Sequence, residues 1–258
     1  MALDGSKTSE GSTADSRALE ARRELEAMFM EAPLPREHLL FNLGMYTRSS
    51  VLLKFLFMND IYERIRDIPG ALIELGVWWG QNLVLLENLR AIHEPFNKQR
   101  VILGFDTFDG YKTFSRHDRA VEVMQDGTYV TPPGYREYLQ RLLDVHERAN
   151  AFGHMRGGHE LIAGDATHTV PAYFERHPQT LVAMAFFDIG TYEPTRAALQ
   201  AILPALMPGS VIVFDELTWP GAPGEAVAFK EVFRGAHYLI EKSRHYPSKS
   251  IVTFKGMR

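Results

Sequence analysis

Three acidic residues follow two apolar runs in the second half of the chain. Asp188 comes directly after LVAMAFF, and Asp215 and Glu216 come directly after SVIVF. Short runs that are apolar throughout are typical of parallel strands buried on both faces. The carboxyl ends of such strands meet at one edge of the sheet, so these carboxylates should converge.

Carboxylates that close together repel each other unless they are protonated or bound to a cation, and oxygen ligands suit Mg²⁺ or a similar hard ion. The spacing therefore predicts a divalent-cation site at Asp188, Asp215 and Glu216. Acids that only cap helices or face solvent at strand ends would give the same pattern, and we keep that alternative open.

A glycine-containing stretch, ALIELGVWWG at residues 71–80, suggests a second site. Glu74, Gly76 and Gly80 are spaced E-x-G-x-x-x-G between an apolar run and a segment with helical periodicity at Gln81–His93. Strand, glycine turn and helix together open many nucleotide-binding α/β sheets, in which glycines let a ligand approach the backbone. Glycines needed only for packing would explain the same pattern.

The residues between these glycines argue against a dinucleotide. Val77, Trp78 and Trp79 are bulky, and a pyrophosphate could not lie on a turn that carries them. This speaks against a nicotinamide oxidoreductase. An acid at the strand end with wider glycine spacing fits a cationic ligand better, and S-adenosylmethionine, with its ammonium and sulfonium groups, is such a ligand.

Two further acids could complete a cofactor site. Asp106 ends the predicted strand Arg100–Phe105, where one carboxylate can accept hydrogen bonds from both hydroxyls of a ribose. Asp165 follows the predicted strand His159–Ala163 and could accept from an adenine amino group or cap the next helix. Acids in a solvated turn remain the alternative for Asp106, and both interpretations of Asp165 stay open.

The pattern of apolar residues places these acids in an α/β fold. It predicts about five parallel strands with intervening helices, a closing antiparallel hairpin from His237–Ser243 and Ser250–Phe254, and extra N-terminal helices. A helix is also predicted over Thr195–Met207, with a turn at Pro208 and Gly209 before the strand that precedes Asp215. The stretch 111–134 has no sustained period, so we expect a loop that forms a lid over the substrate.

Composition limits the class of protein. The chain has 258 residues, 45% of them hydrophobic, a net charge of −4 and no cysteine. The charge argues against general nucleic-acid binding, and the missing cysteines exclude disulfides and thiolate metal sites. We find no signal peptide and no apolar run long enough for a membrane span. We therefore expect a soluble cytoplasmic protein.

We expect three segments along the chain: a disordered lead at 1–14, an N-terminal helical segment at 15–68 and one α/β domain at 69–258. The helical segment would serve as a lid or an interface. The apolar stretch Val51–Ile61 would suit contact between subunits, and we therefore expect a homo-oligomer.

Three blocks, IELGVWWG, GFDTFDGY and FFDIGTYEPTRAALQAILPALMPGSVIVFDE, together resemble the macrocin and mycinamicin O-methyltransferases. The resemblance covers roughly Ala71–Glu216. It implies a Rossmann-like class I methyltransferase fold with a mainly parallel seven-stranded sheet, S-adenosylmethionine as methyl donor and S-adenosylhomocysteine as product. It also implies Mg²⁺ or a similar divalent cation and a deoxysugar of a glycosylated natural product, such as an antibiotic, as acceptor.

Block by block, the resemblance implies roles for individual residues. Asp188 matches the aspartate that is both metal ligand and catalytic residue, and Asp215 and Glu216 match the second metal pair. The cofactor-binding residues expected from the motifs and the match are Glu74, Gly76, Val77, Trp78, Gly80, Asp106, Thr107, Phe108, Gly164, Asp165 and Ala166.

The chain departs from the family pattern at two positions. Gly190 stands where the family often has a second acid after Asp188, and Glu216 stands where it has an aspartate. Both changes are expected to alter the affinity of the acidic site for a metal ion. A metal-independent methyltransferase acting on a small molecule and a non-catalytic relative that binds cofactor are therefore the alternatives.

Overall fold

A computed structural model describes residues 15–97, 99–112, 114–118, 124–150 and 158–257. The predicted disordered lead at 1–14 lies outside these residues, as do parts of the predicted loop at 111–134. Within the part of the chain that is described, no helix is both long enough and apolar enough to cross a membrane.

The chain divides into two compact units, one ending at Phe55 and one beginning at Leu56. The first contains α1 (Ser16–Met30), α2 (Arg36–Leu39), a short 3-10 helix (Leu43–Tyr46) and the start of α3 (Ser49–Ile65). Asp15 caps α1, because its Oδ1 accepts the N–H of Ala18 at 2.8 Å. The rings of Phe29 and Tyr46 pack edge to face, and none of the residues described in α1, α2 and the 3-10 helix is buried.

The second unit is built on a seven-stranded sheet in the order β3-β2-β1-β4-β5-β7-β6. The first five strands are parallel, and β7 and β6 close the sheet as an antiparallel hairpin, as predicted. The strands are β1 (Ala71–Leu75), β2 (Ile102–Asp106), β3 (His159–Ala163), β4 (Val182–Phe187), β5 (Leu206–Phe214), β6 (Ala236–Lys242) and β7 (Ser250–Met257).

Five helices and the end of α3 cover the two faces of this sheet. Apolar residues of α3, α4 and α5 form one core cluster with the sheet, and those of α6, α7 and α8 form the other. The helices are α4 (Gln81–His93), α5 (Tyr135–Asn150), α6 (Ala166–Arg176), α7 (Tyr192–Ile202) and α8 (Pro223–Val232). Strands covered on both faces need continuous apolar sequences, which explains the runs that revealed β4 and β5.

One segment differs from the prediction. The expected helix Thr195–Met207 is instead α7, which begins earlier and ends at Ile202, followed by a 3-10 turn at Leu203–Ala205. The expected turn at Pro208 and Gly209 lies within β5, where the pairing with β4 shifts register between Val182 and Met184. The predicted chain turn at Pro-Gly is wrong. Proline and glycine also occur near the beginning of a strand and at a β-bulge, so this dipeptide does not by itself indicate a turn.

A buried ionic cluster lies at the amino end of β3, away from the acids predicted from the sequence. The Arg90 guanidinium donates to the carboxylates of Glu87 at 2.6 Å and Glu147 at 3.1 Å. His159 contacts Asp144 at 2.8 Å through Nε2. Burial opposes a charge on His159, but the negative charge of Glu87, 3.6 Å from Nδ1, and the hydrogen bond to Asp144 outweigh it and raise the pKa of this histidine.

Candidate functional site

The strand ends that carry the predicted residues are joined in one row. A backbone hydrogen bond links the residue that follows each strand to the neighbouring strand. The donor and acceptor pairs are Gly164 to Asp106 at 2.9 Å, Gly76 to Phe105 at 2.9 Å, Asp188 to Leu75 at 2.9 Å and Asp215 to Phe187 at 3.0 Å. The row places the glycine turn and the predicted metal ligands at the same edge of the sheet.

The glycines of the β1–α4 turn are needed for their backbone conformation. Gly76 and Gly80 have φ of +87° and +74°, in the region that favours glycine. A Cβ on Gly76 would collide with the backbone carbonyl oxygen of Asp188, and one on Gly80 would meet the Leu139 side chain at 2.5 Å. Close packing thus explains both glycines, and it brings the turn directly against the residue that heads the acidic group.

Asp106 holds this turn in place. Its Oδ2 accepts the backbone N–H groups of Val77 at 2.6 Å and Trp78 at 2.8 Å, and its Oδ1 accepts that of Phe108 at 2.6 Å. Trp78 and Phe108 have φ of +48° and +55°, which is strained for residues with side chains. Three short bonds to one carboxylate stabilise these conformations. Whether the remaining lone pairs also receive ribose hydroxyls stays a prediction.

The other predicted cofactor residues surround this turn with defined local partners. Glu74 is buried, and its Oε1 accepts from Nδ2 of Asn82 at 2.7 Å, which ties β1 to the first turn of α4. Asp165 caps α6 by accepting the N–H of Thr167 at 2.8 Å, so the capping interpretation describes its observed contact. Ala166 is buried at the start of that helix.

Thr107 and Val77 also have structural contacts. The Thr107 hydroxyl donates to the carbonyl oxygen of Gly110 at 2.7 Å and so stabilises the turn after β2. The Val77 side chain is buried in the core, whereas Trp78 and Trp79 are half-buried. Of the three bulky residues in the turn, the tryptophans are therefore the ones that restrict a ligand.

The structure brings Asp188, Asp215 and Glu216 together, as the sequence predicts. One carboxylate oxygen from each lies within 4.8 Å of the others, and all three side chains are half-buried. A lysine, Lys249, forms an ion pair with Asp215. This cation does not follow from the sequence pattern, because it comes from the turn of the C-terminal hairpin.

Glu225 is a fourth carboxyl group beside these three. It is fully buried in the first turn of α8, and its Oε2 accepts the backbone N–H of Glu216 at 3.0 Å. Among the described residues, no hydrogen-bond donor meets its Oε1. Burial, with a further contribution from the negative charge of Asp188, raises the pKa of Glu225 well above its usual range. Its carboxyl group therefore favours the neutral form more than an exposed glutamate does.

A row of aromatic rings runs from the glycine turn toward the acids. Trp78 packs on Tyr129 with ring centroids 5.2 Å apart, and Tyr129 packs on Tyr111 at 5.8 Å. Phe114 extends the row, 5.9 Å from Tyr111. Burial and the negative charges of Glu216 and Asp188 raise the pKa of Tyr111 well above its usual range. Its hydroxyl is therefore a hydrogen-bond donor at neutral pH.

The space beside Gly190 is occupied by the end of a methionine side chain. A Cβ on this residue would lie 2.6 Å from Cε of Met124 and 3.7 Å from the Tyr111 hydroxyl oxygen. Gly190 also has φ of +57°. The end of the Met124 side chain therefore occupies the space where the side chain of a second acid would begin, and it would have to move to admit one.

Asp118 anchors the segment that carries Phe114. Its Oδ1 accepts the N–H of Tyr192, the first residue of α7, at 2.8 Å, and its Oδ2 accepts from the backbone and hydroxyl of Ser115. The ring of His117 packs on the Tyr192 ring at 4.4 Å. A residue distant in sequence thus caps α7 and fixes part of the predicted lid to the end of β4.

The sequence analysis missed Glu225, Tyr111, Asp118 and Lys249. Glu225 follows Pro-Gly at the start of a helix, where acids are common for reasons of capping. Lys249 could have been found from the hairpin alone had its register been known, because Ser250 pairs with Phe214, the residue before Asp215. Nothing in the sequence around Tyr111 and Asp118 indicates their contacts.

Comparison with known proteins identifies the family. A family model described as a methyltransferase domain matches residues 73–217, more than half of the chain. No curated protein matches the sequence. A crystal structure of CalS11, described as a calicheamicin methyltransferase, is 35% identical over 94% of each chain, with a TM-score of 0.88.

Two further structures agree with this assignment. An apo structure of CalS11, described as a TDP-rhamnose 3'-O-methyltransferase of calicheamicin biosynthesis, is 34% identical over 94% of this chain and 96% of that one, with a TM-score of 0.81. The O-methyltransferase NovP shares the fold at 15% identity, with 80% of each chain covered and a TM-score of 0.57. This chain is an O-methyltransferase and belongs to the methyltransferase-domain family.

Proposed function

We propose that this enzyme transfers a methyl group from S-adenosylmethionine to a sugar hydroxyl of a nucleotide sugar or other glycosylated small molecule. The observation that carries the proposal is the contact between the glycine turn and Asp188, because it sets a cofactor turn directly against the acidic group. The similarity to CalS11, described as acting on TDP-rhamnose, supports the acceptor class. The finer resemblance to macrocin and mycinamicin enzymes is part of this proposal.

The residues of the β1–α4 turn fit the methyl donor. Gly76 and Gly80 give the turn its positive φ angles, and neither has a side chain that could cover the backbone. Among the described residues, no side chain caps the first turn of α4. The N–H groups at that helix start suit the carboxylate of the methionine part. Half-buried Trp78 offers an aromatic face to the cationic end. When bound, the sulfonium supplies the methyl group.

The acidic group fits a divalent cation. Asp188, Asp215 and Glu216 offer three carboxylate oxygens within 4.8 Å of one another, and oxygen ligands are those that Mg²⁺ prefers. Buried Glu225 fixes the backbone of Glu216 by accepting its N–H. A bound Mg²⁺ would supply charge that lowers the pKa of an acceptor hydroxyl.

We assign the catalytic proton transfer to Asp188. A sugar hydroxyl is almost fully protonated at neutral pH, so its oxygen becomes a good nucleophile only as the proton leaves. Asp188 adjoins the turn, because its backbone carbonyl oxygen lies against Gly76, whereas Asp215 is paired with Lys249 and Glu225 is fully buried with a raised pKa. We assign the proton to Asp188 rather than to Glu216 because Asp188 follows β4, the strand beside β1 and its turn, whereas Glu216 follows β5, one strand farther away.

The aromatic row is the acceptor wall in this proposal. The apolar face of a sugar packs well on aromatic rings, and Tyr129 and Tyr111 lie between the cofactor turn and the carboxylates. The Tyr111 hydroxyl can donate to an oxygen of the acceptor. Proximity and alignment of donor and acceptor would provide much of the rate acceleration.

Two measurements test the proposal. Calorimetric titration with S-adenosylhomocysteine should show micromolar binding, and folded protein that does not bind it would exclude this methyl donor. Incubation with TDP-rhamnose and labelled S-adenosylmethionine, with Mg²⁺ or with a chelator, should give Mg²⁺-dependent methyl incorporation. Cofactor binding without transfer to any nucleotide sugar or glycoside would show that the acceptor class is wrong.

A second candidate is a metal-independent methyltransferase. The ion pair of Lys249 with Asp215 favours it, because an ammonium group already supplies positive charge to the acids, and Gly190 provides no further ligand. Turnover that resists the chelator would establish this alternative.

A further inference from the structure

Lys249 is held against Asp215 by the register of the sheet. In the antiparallel pairing of β5 with β7, Phe214 lies opposite Ser250. Asp215 follows Phe214 and Lys249 precedes Ser250, so the two residues extend the same ladder by one position. Their side chains form an ion pair and are only 16% and 13% exposed.

The turn that carries Lys249 is itself well defined. The N–H of Lys249 donates to the carbonyl oxygen of Tyr246 at 2.9 Å, and its own carbonyl oxygen accepts from Ser243 at 2.9 Å. The ammonium lies 4.8 Å from the centroid of the Tyr246 ring, within range of a cation–π interaction. Backbone, ring and carboxylate thus place the positive charge at the edge of the acidic group.

A divalent cation on Asp215 would meet this ammonium. Both are positive, and unit charges about 4 Å apart interact strongly in a partly buried site. Binding of the ion must therefore displace the ammonium from Asp215 or proceed against its charge. Without the ion, the ammonium reduces the repulsion among Asp188, Asp215 and Glu216, which lie within 4.8 Å of one another.

We propose that Lys249 is a positioning residue that occupies Asp215 when no metal is bound and so sets the divalent-cation affinity of the site. This inference rests on the proposed metal site, and it adds the competing cation within the chain itself. Release of the lysine from Asp215 accompanies binding of the ion. The affinity of the site is then lower than three carboxylates alone would give.

The test is a calorimetric titration of the full chain with Mn²⁺ alone, after a chelator has removed any bound metal. Lys249→Met should bind Mn²⁺ about tenfold more tightly than wild type, because the competing charge is gone. Lys249→Arg should stay near wild type. Lys255→Met is the matched control, since Lys255 is exposed on β7, the strand that follows Lys249, and it should not change the affinity. Thermal unfolding in chelator should show a lower Tm for Lys249→Met, and Mn²⁺ should reverse this loss.

Each outcome has a distinct meaning. Equal or weaker Mn²⁺ binding by folded Lys249→Met, beside a wild type that binds, overturns the role of Lys249 and leaves the metal site standing. If wild type, Lys249→Met and Lys249→Gln all fail to bind Mn²⁺, both the proposed metal site and this inference are overturned. If Lys249→Met binds Mn²⁺ more tightly than wild type and the further substitution Asp215→Asn abolishes that binding, both the metal site and the role of Lys249 are supported. S-adenosylhomocysteine titration of the same samples tests the methyl-donor site independently.

Discussion

Oδ2 of Asp106 accepts the backbone N–H of Trp78 at 2.8 Å, from the end of β2 to the turn after β1. The bond joins an acid predicted to hold a ribose to a residue whose φ is positive. The acid therefore shapes the turn even before a ligand is bound. Cofactor affinity and turn stability should depend on it together.

Asp106→Asn should impair both properties. The amide of asparagine turns a donor toward backbone N–H groups, so at least one of the three bonds is lost. We expect the free energy of unfolding to fall by about 1.5–3 kcal/mol, the range for hydrogen bonds to a charged group, and S-adenosylhomocysteine to bind at least about tenfold more weakly. Urea denaturation and calorimetry measure the two effects. Asp109→Asn, in the same turn but exposed, is the control, and equal behaviour of the two variants would refute the argument.

Asp188→Asn should abolish turnover while cofactor affinity stays within a few-fold. An amide cannot take the acceptor proton, and loss of a general base typically costs about a hundredfold to ten-thousandfold in rate. Labelled methyl transfer to TDP-rhamnose and titration with S-adenosylhomocysteine provide the two readouts. Asp67→Asn, which is exposed, should leave both unchanged. A variant at position 188 with the wild-type rate would show that another group takes the proton.

Tyr111→Phe should weaken acceptor binding. Its neutral hydroxyl lies in the acidic site, and loss of one hydrogen bond costs about 1 kcal/mol. We expect KM for TDP-rhamnose to rise about threefold to tenfold, with little change in kcat or in cofactor affinity. Tyr138→Phe, half-exposed on α5, is the control. A fall in kcat with unchanged KM would instead indicate that Tyr111 acts on the carboxylates.

Arg90→Met should strongly destabilise the fold. It leaves the carboxylates of Glu87 and Glu147 buried without their guanidinium partner. Removal of one partner from a buried ion pair typically costs about 3–5 kcal/mol. By comparison, Arg64→Met breaks two more exposed pairs, with Asp60 and with Glu241, and should cost at most about 1 kcal/mol for each. Urea denaturation of both variants checks the contrast, and similar losses would contradict it.

His159 should make stability depend on pH. Its pKa is raised in the folded protein, so its contribution is fully present below the unfolded value of about 6.5 and is lost as pH rises through the folded value. The Tm of wild type should therefore fall relative to that of His159→Gln as pH increases above about 6.5. The exposed His168→Gln should keep the wild-type slope. Parallel Tm profiles for wild type and His159→Gln would disprove the contribution.

Elements with a strong local pattern were predictable from the sequence. Helix α4 and strand β3 have the predicted bounds, Gln81–His93 and His159–Ala163, because apolar periodicity and apolar runs mark the residues that face the core. The meeting of Asp188 with Asp215 was predictable as well, since parallel strands align their carboxyl ends. The prediction of a chain turn at Pro208 and Gly209 was wrong because Pro-Gly also occurs at a β-bulge within a strand.

Contacts between distant segments could not be predicted in this way. Lys249 reaches Asp215 through the register of an antiparallel pair, and Asp118 caps a helix that begins at Tyr192. Neither residue has a neighbour in sequence that reveals its partner. The predicted lid, the subunit interface at Val51–Ile61 and the segment boundaries stay predictions.

The packing of Met124 on Gly190 makes these two positions dependent on each other. An aspartate at 190 alone would face a methionine side chain at 2.6 Å from its Cβ and a left-handed backbone. A smaller residue at 124 alone would leave a cavity without adding a ligand. A further acid at position 190 therefore requires the end of the Met124 side chain to move aside, so the residues tolerated at 190 depend on the residue at 124.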